Sequence, residues 1–295
     1  MRAAPFRSRA AWGATLLLAA CGATHDPPAK DAQADDTDPT ADSDLDSDHD
    51  TDRDAADDTD RDTDLADDTD PADDTDPPAG PCPPAMALVD GTYCIDVAEA
   101  AVEVWRDGAW QPSSPYELIN GRTVRAVVAL GMIPQGYISG DEAAAACAAS
   151  GKRLCTNDEW LSACRGPSNH VWPYGDAHDP DACNDHYEGG HPVVDLFGTA
   201  TGVWDMEHMN DPRINQQPGT VVAGGSLPAC VSDWGAFDLH GNLHEWTSDP
   251  AGTFRGGFYA DASINGPGCT YATTAHTTDY HDYSTGFRCC ADPAP

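Results

Sequence analysis

The sequence predicts an α+β domain over residues 81–295, with much irregular backbone and a framework of disulfide bonds. Three observations support this prediction. The chain contains 11 cysteines, 27 glycines and 24 prolines, and it has no long periodic apolar run. Two sequences mark the starts of helices, whereas the strand candidates are only a few residues long. The many cysteines compensate for a core that short elements cannot build alone.

The regular elements are predicted from local signals. Ser139 with Glu142, and Thr156 with Glu159, each fit a capping box, in which a hydroxyl and a carboxylate satisfy free amides of the first helical turn. Glycines just beyond these segments favour helix ends. The predicted elements are helices over about 140–149 and 157–164 and strands at Met86–Val89, Tyr93–Asp96 and Arg122–Val128.

The N-terminal sequence indicates an export signal. A basic head with three arginines precedes an apolar run over 10–20, which is too short to span a bilayer and ends in Leu-Ala-Ala-Cys21-Gly. Small residues before a cysteine resemble a bacterial lipobox. We therefore predict a lipoprotein signal peptide over 1–21, with Cys21 lipidated and the chain bound to a membrane. The alternative is an ordinary signal peptide in which Cys21 is incidental.

Residues 22–80 form an Asp/Thr-rich segment with a repeated Ala-Asp-Asp-Thr-Asp unit. It holds more than half of the net charge of −35. Such a segment cannot bury enough apolar surface to offset the entropy of ordering, so we predict a disordered tether. Its acidity excludes nucleic acid as a partner. We expect the chain in the bacterial cell envelope, lipid-anchored, on the periplasmic or outer surface.

Five short motifs of the domain agree with one protein family in order and spacing. They are Gly151-Lys-Arg-Leu-Cys-Thr-Asn-Asp-Glu-Trp160, Trp172-Pro-Tyr-Gly175, Gly241-Asn-Leu-His-Glu-Trp246, Arg255-Gly-Gly257 and Gly286-Phe-Arg-Cys289. Together they resemble the sulfatase-modifying-factor family of formylglycine-generating-enzyme-like domains, over roughly residues 82–292. The resemblance implies a modified C-type-lectin-like fold.

The resemblance also bears on catalysis, because catalytic members of the family are copper-dependent oxidases with two reactive cysteines after the Arg-Gly-Gly segment. Here Ala260, Asp261 and Ala262 stand where the first thiol is expected, and Cys269 is the only cysteine of the segment 255–269. Because Cu(I) selects thiolates, copper is not expected. We interpret the domain as a non-catalytic binding or structural module for a protein or glycan ligand. The alternatives are an oxidoreductase of the formylglycine-generating type, a divergent enzyme that uses residues 270–283, or a passive envelope component.

Ten cysteines remain when Cys21 is set aside, and an even number in an exported chain predicts up to five disulfides. Spacing alone leaves their connectivity open. The resemblance implies Cys147–Cys289 and Cys164–Cys269. The remaining cysteines then suggest Cys82–Cys94, Cys183–Cys230 and Cys155–Cys290.

The Gly-Asn turn at 241–242 predicts a calcium site. A bent chain leaves backbone carbonyls free beside carboxylates, and calcium prefers such oxygen ligands. In the resembled family, one calcium is held by an acidic or amide residue, two carbonyls and the glutamate of Gly-Asn-x-x-Glu-Trp. The implied ligands here are Asp238, the carbonyls of Gly241 and Leu243, and Glu245. Asn184 and Asp185 are weaker candidates for a second family site. The alternative is a tight turn with two solvated acids.

The histidines form no recognisable constellation in the sequence. His240 and His244 flank the Gly-Asn pair, which breaks the helix that a zinc-protease motif requires, so zinc is not expected there. Four further histidines are interpreted as loop residues: His170, His178, His186 and His191.

Overall fold

The structure is a computed structural model that describes residues 80–295. The predictions for Cys21, the signal peptide and nearly all of the acidic tether lie outside these residues. Within the described range, no helix combines the length and the apolar character needed to cross a bilayer.

The regular elements are short and are connected by long irregular segments. The helices are α1 (Gly140–Ala149), α2 (Asn157–Arg165), α3 (Pro192–Phe197) and α4 (Met206–Met209). The strands are β1 (Met86–Val89), β2 (Tyr93–Asp96), β3 (Ala101–Arg106), β4 (Ala109–Pro112), β5 (Val124–Val127), β6 (Arg153–Leu154), β7 (His244–Trp246), β8 (Phe254–Arg255), β9 (Ala272–Thr273), β10 (Thr285–Phe287) and β11 (Cys289–Ala291).

Both predicted helices are confirmed, and both begin at their capping boxes. The Glu142 amide donates to Ser139 Oγ at 3.2 Å, and the Glu142 carboxylate accepts a hydrogen bond from the Ser139 amide. The same reciprocal pair forms at Thr156. Gly166, directly after α2, has φ +63°, and Gly151, one residue beyond the cap of α1, has φ +73°. Glycine adopts this left-handed conformation at little cost, so the helices end there.

The strands form three small sheets, ordered β1-β2-β11-β6, β10-β7-β8-β9 and β4-β3-β5. The first two predicted strands are confirmed, and the third is the shorter β5. Sequence reasoning missed the β3–β4 hairpin. Its turn residues, Asp107 and Gly108, have φ +53° and +82°, which a type I′ turn requires. The Asp-Gly pair between β-branched and aromatic residues was the available signal.

The core is divided among several clusters. In one, α1 covers the β4-β3-β5 sheet together with Trp246 and Phe287. In a second, Trp160 of α2 packs on Leu239 among buried disulfides. A third is rich in tyrosines and contains Tyr137 and Tyr259. Disulfides lie inside these clusters, with Cys147–Cys289 in the first and both Cys155–Cys290 and Cys164–Cys269 in the second, so covalent bonds reinforce cores built from short elements.

All ten cysteines of residues 80–295 lie in disulfides. The pairs are Cys82–Cys94, Cys147–Cys289, Cys155–Cys290, Cys164–Cys269 and Cys183–Cys230. They coincide with the five pairs expected from the sequence. The adjacent cysteines of β11 bond to two different segments, which joins this strand to both α1 and the start of α2.

Candidate functional site

A cleft of about 550 Å³ lies beside the segment that follows the Arg-Gly-Gly motif. We call it the aromatic cleft, because six ring side chains line it: His191, Trp204, Phe258, His276, Tyr280 and Tyr283. Trp204 is 49% exposed and Ile264 at the rim is 79% exposed. A concave surface with exposed apolar groups and a few polar ones is typical of a ligand site.

The rings of the aromatic cleft contact one another closely. The rings of His276 and Tyr280 are stacked with centroids 3.6 Å apart, and His191 meets Trp204 edge to face at 4.9 Å. The Tyr280 hydroxyl donates to Asp282 Oδ2 at 2.6 Å. Burial, and then the charge of Asp282, raise the pKa of Tyr280 and of Tyr283. At neutral pH both phenols therefore stay protonated and act as hydrogen-bond donors, not as nucleophiles.

Two residues from the expected thiol position line the aromatic cleft. Asp261 and Ala260 lie on its wall, and the Asp261 carboxylate accepts hydrogen bonds from the Ile264 amide at 3.0 Å and the Tyr271 hydroxyl at 3.2 Å. The next cysteine along the chain, Cys269, is buried and bonded to Cys164. This arrangement offers a carboxylate where the resembled oxidases offer a thiol.

Segment 270–283 is only partly gathered into the aromatic cleft. His276, Tyr280, Asp282 and Tyr283 line it. His281, in contrast, bonds through Nδ1 to Asn210 Oδ1 at 2.9 Å. The segment therefore supplies one imidazole, two phenols and one carboxylate to a common surface.

The four expected calcium ligands lie on one turn, but Glu245 is already bound. Arg288 donates from Nε to Glu245 Oε2 at 2.5 Å and from Nη2 to Oε1 at 2.6 Å. The Trp160 indole nitrogen donates to Oε2 at 2.7 Å. A protein cation thus occupies the position beside this carboxylate. Oε1 accepts a single hydrogen bond, so a calcium ion at Glu245 would have to share this carboxylate with Arg288 or displace it, and the calcium site stays a prediction.

Asp238 belongs to the same buried cluster, together with Glu99, which sequence reasoning missed. Asp238 Oδ2 accepts the Gly225 amide at 2.7 Å. Burial raises the pKa of Asp238 to about 6, and the charge of Glu245 adds to the effect. Glu99 accepts the Leu243 amide at 2.8 Å, and its pKa is raised well above the ordinary value by burial and by the two neighbouring carboxylates. Three acids share one buried arginine, so protonation balances part of their charge.

The weaker calcium candidates are placed differently from each other. The Asn184 carbonyl accepts the Asn242 amide at 2.7 Å, which joins this segment to the Gly-Asn turn. Asp185 Oδ2 is contacted by His178 Nε2 at 2.7 Å and by His240 Nε2 at 3.2 Å. Burial raises the pKa of Asp185, but hydrogen bonds from these histidines outweigh it and hold the pKa at about 2.

The structure is a disulfide-braced α+β domain with a concave aromatic surface on irregular loops. The sequence model of the sulfatase-modifying factor enzyme 1-like domain matches residues 93–293. The chain belongs to this family, and its fold is the modified C-type-lectin-like fold.

Relatives include both inactive and active members by name. The chain is 30% identical over 198 residues to "Inactive C-alpha-formylglycine-generating enzyme 2" of Mus musculus, which covers 63% of this chain and 54% of that protein. It is 31% identical over 220 residues to the formylglycine-generating enzyme of Thermomonospora curvata, with 69% of each chain covered. The chain spans about half the length of the mouse protein and of its Bos taurus counterpart, with 54% and 50% covered.

Similar solved structures include the Major Tropism Determinant I1 variant and PvdO from Pseudomonas aeruginosa. The first has a TM-score of 0.43 and 14% identity, and covers 74% of this chain and 55% of that chain. The second has a TM-score of 0.42 and 14% identity, with 68% and 80% covered.

Proposed function

We propose that the chain is a lipid-anchored envelope protein whose formylglycine-generating-enzyme-like domain binds a ligand and does not catalyse the oxidase reaction. The observation that carries this proposal is the pairing of Cys269 with Cys164, together with Asp261 in the aromatic cleft. Copper(I) chemistry of the family type requires thiolates. The disulfide sulfur of Cys269 is not a thiolate, and the carboxylate of Asp261 is a hard ligand, which copper(I) does not prefer.

The aromatic cleft supports binding of a neutral or cationic segment. Its rings offer flat apolar faces, and Asp261 and Asp282 offer acceptors at its wall. Aromatic faces with nearby acceptors suit an apolar or aromatic protein segment as well as the C–H faces and hydroxyls of a glycan. Anionic ligands are disfavoured by the two carboxylates. Protein and glycan therefore remain the two ligand classes of the proposal.

The anchor is the second part of the proposal and rests on the sequence around Cys21. Replacing Cys21 by alanine should leave the chain unprocessed or release it from the membrane fraction. The measurement is detergent-phase partitioning of cell extracts, with wild type as the reference. Unchanged partitioning would contradict lipidation at this residue.

The absence of oxidase activity is tested directly. We expect no aldehyde when the full chain is incubated with copper and a cysteine-containing sulfatase-type peptide, with the Thermomonospora curvata enzyme as the positive control. Non-reducing mass mapping should show no free thiol in the domain. Aldehyde formation, or a free and reactive Cys269, would instead support the oxidoreductase alternative.

Ligand binding is tested with a pair of matched tryptophans. Trp204 at the aromatic cleft and Trp105 on β3 are 49% and 48% exposed. A panel of oligosaccharides and of neutral or basic peptides is screened by a fluorescence titration. For any hit, Trp204→Ala should weaken binding at least about tenfold, because truncating a tryptophan that anchors a binding site typically costs about 2 kcal/mol or more. Trp105→Ala should leave binding unchanged. Equal effects of both substitutions would mean that the ligand does not use the cleft.

A divergent enzyme is the second candidate, and the convergence of His276, Tyr280 and Asp282 favours it. These groups could exchange protons with a bound substrate. Turnover of any cleft ligand, lost in His276→Gln and retained in Trp105→Ala, would replace the binding-module proposal.

Calcium at the Gly-Asn turn belongs to the proposal as a structural ion. Asp238 and Glu245 supply the carboxylates, as the family resemblance implies. An ion bound there would share Glu245 with Arg288 or displace the guanidinium from it.

A further inference from the structure

A second cavity, of about 390 Å³, lies between the Trp172 loop and the segment 262–268. Three side chains with metal-binding atoms face one another on its wall: His178, Asp185 and His240. We propose that these three residues bind one divalent transition-metal ion. The family resemblance offers Asp185 only as a weaker calcium candidate and assigns neither His178 nor His240 to a metal.

The geometry of the three side chains is already close to that of a metal site. Nε2 of His178 and Nε2 of His240 lie 2.7 Å and 3.2 Å from the same oxygen, Oδ2 of Asp185. One ligand atom from each residue can be chosen so that all lie within 4.8 Å of one another. Within residues 80–295, this is the one group of three such side chains that meets this spacing. An ion would replace the two hydrogen bonds with three coordinate bonds.

The donor set selects the class of ion. Two imidazole nitrogens and one carboxylate oxygen suit zinc, iron and their neighbours, whereas calcium and magnesium prefer oxygen ligands. Three protein ligands leave one or more coordination positions open. The cavity is the space that faces those positions, so a water or a small ligand could complete the coordination.

Hydrogen bonds between the neighbouring residues Asn184 and Asn242 hold Asp185 close to His240 before any ion binds. The Asn242 amide donates to the Asn184 carbonyl at 2.7 Å, and Asn184 Nδ2 donates to Asn242 Oδ1 at 3.0 Å. Gly241 allows this approach, because a Cβ there would lie 2.1 Å from the Asn184 carbonyl oxygen. The Gly-Asn turn therefore positions the imidazole of His240 against the carboxylate.

A disulfide fixes the same two segments. Cys183, two residues before Asp185, is bonded to Cys230. The Cys230 sulfur in turn lies 3.6 Å from the His240 carbonyl oxygen. Side chains of Asp185 and His240 are 5% and 3% exposed, whereas that of His178 is 45% exposed. Two ligands are thus rigid and one is at the mouth, where an ion could enter.

The test uses the full chain, stripped with a chelator and then titrated with Zn²⁺ by calorimetry. Co²⁺ serves as a spectroscopic probe of coordination. We expect one tight site, with Asp185→Asn and His178→Gln each weakening Zn²⁺ binding at least about 100-fold, since loss of a ligand exceeds the 10–100-fold effect of losing its supporting bond. His178→Gln changes an exposed side chain, and thermal denaturation checks that its fold is intact.

The matched control is His186→Gln. His186 lines the same cavity and lies 3.3 Å from the other oxygen of Asp185, but it is outside the proposed ligand set. It should leave Zn²⁺ affinity within a few-fold of wild type, and millimolar Ca²⁺ should not displace the bound ion. Because every variant carries the acidic tether, loose binding there cancels in the comparison. The proposed site would be overturned if wild type bound no more Zn²⁺ than Asp185→Asn. It would also be overturned if His186→Gln weakened Zn²⁺ binding as strongly as His178→Gln.

Discussion

Arg288 and Glu245 form a bidentate ion pair, with Nε–Oε2 and Nη2–Oε1 distances of 2.5 Å and 2.6 Å, and both side chains are buried. The arginine comes from the Gly-Phe-Arg-Cys motif and the glutamate from the Gly-Asn-x-x-Glu-Trp motif. Two of the sequence motifs that identify the family therefore meet in one buried contact. The presence of both motifs in one chain can therefore be explained by this buried ion pair, without a bound ligand.

Replacing Glu245 by glutamine should strongly destabilise the domain. The change removes the only carboxylate that forms an ion pair with the buried Arg288 guanidinium within residues 80–295, and breaking a buried pair typically costs about 3–5 kcal/mol. The control is Glu103→Gln, which breaks the partly exposed pair with Arg125 and should cost less than about 1 kcal/mol. Urea denaturation measures both. Similar small losses in the two variants would show that Glu245 is not held by an essential ion pair.

Calcium binding at the same turn makes a separate prediction. The ligand set of Asp238, Gly241, Leu243 and Glu245 predicts that a chelator lowers the melting temperature of the domain and that added calcium restores it. A hundredfold excess over Kd would stabilise the folded state by about 2.7 kcal/mol. Glu245→Gln should abolish this dependence. If calcium and chelator give the same melting temperature, Arg288 is the only cation at this carboxylate.

Local signals predicted the helices, but the sites depend on contacts between distant segments. The capping boxes lie within four residues, so α1 and α2 could be located from the sequence. His178 and Asp185, in contrast, are seven residues apart in a loop, and His240 lies 55 residues beyond Asp185. No periodicity brings such residues together; the Cys183–Cys230 disulfide and the Gly-Asn turn do. The same limit applies to Arg288, whose partner is 43 residues away.

Gly241 should tolerate no side chain. Its φ is +80°, and a Cβ would meet the Asn184 carbonyl oxygen at 2.1 Å. Gly241→Ala should therefore combine a left-handed backbone penalty of about 1–2 kcal/mol with an overpacking cost of about 1–3 kcal/mol. Gly235→Ala is the control, since Gly235 has φ +83° but open space around it. Equal losses of unfolding free energy in the two variants would show that the 184–242 contact does not form.

His244 should make the domain less stable in acid. Its ring lies among Phe254, Phe258 and Tyr271, with centroid distances of 4.6, 5.0 and 5.4 Å. Its Nδ1 has no hydrogen-bond partner among residues 80–295. Burial, followed by the charge of His276, lowers the pKa of His244 from 6.5 to about 3. The folded state therefore keeps this imidazole neutral under conditions in which the unfolded chain protonates it.

The sign of the effect follows from proton binding. Between pH 6.5 and about 3 the unfolded state binds the proton and the folded state does not, so stability falls as the pH falls through this window. The contribution of His244 is complete above pH 6.5, and about 3 kcal/mol of it is lost by pH 4.5, at 1.36 kcal/mol per pKa unit. His244→Gln removes this group, so the difference in unfolding free energy between wild type and variant should narrow by that amount from pH 7.5 to 4.5. Urea denaturation at a series of pH values measures the difference, in which the opposing titration of Asp238 cancels. Parallel stability curves for the two proteins would mean that His244 is solvated or paired, and that the aromatic packing around it does not hold it neutral.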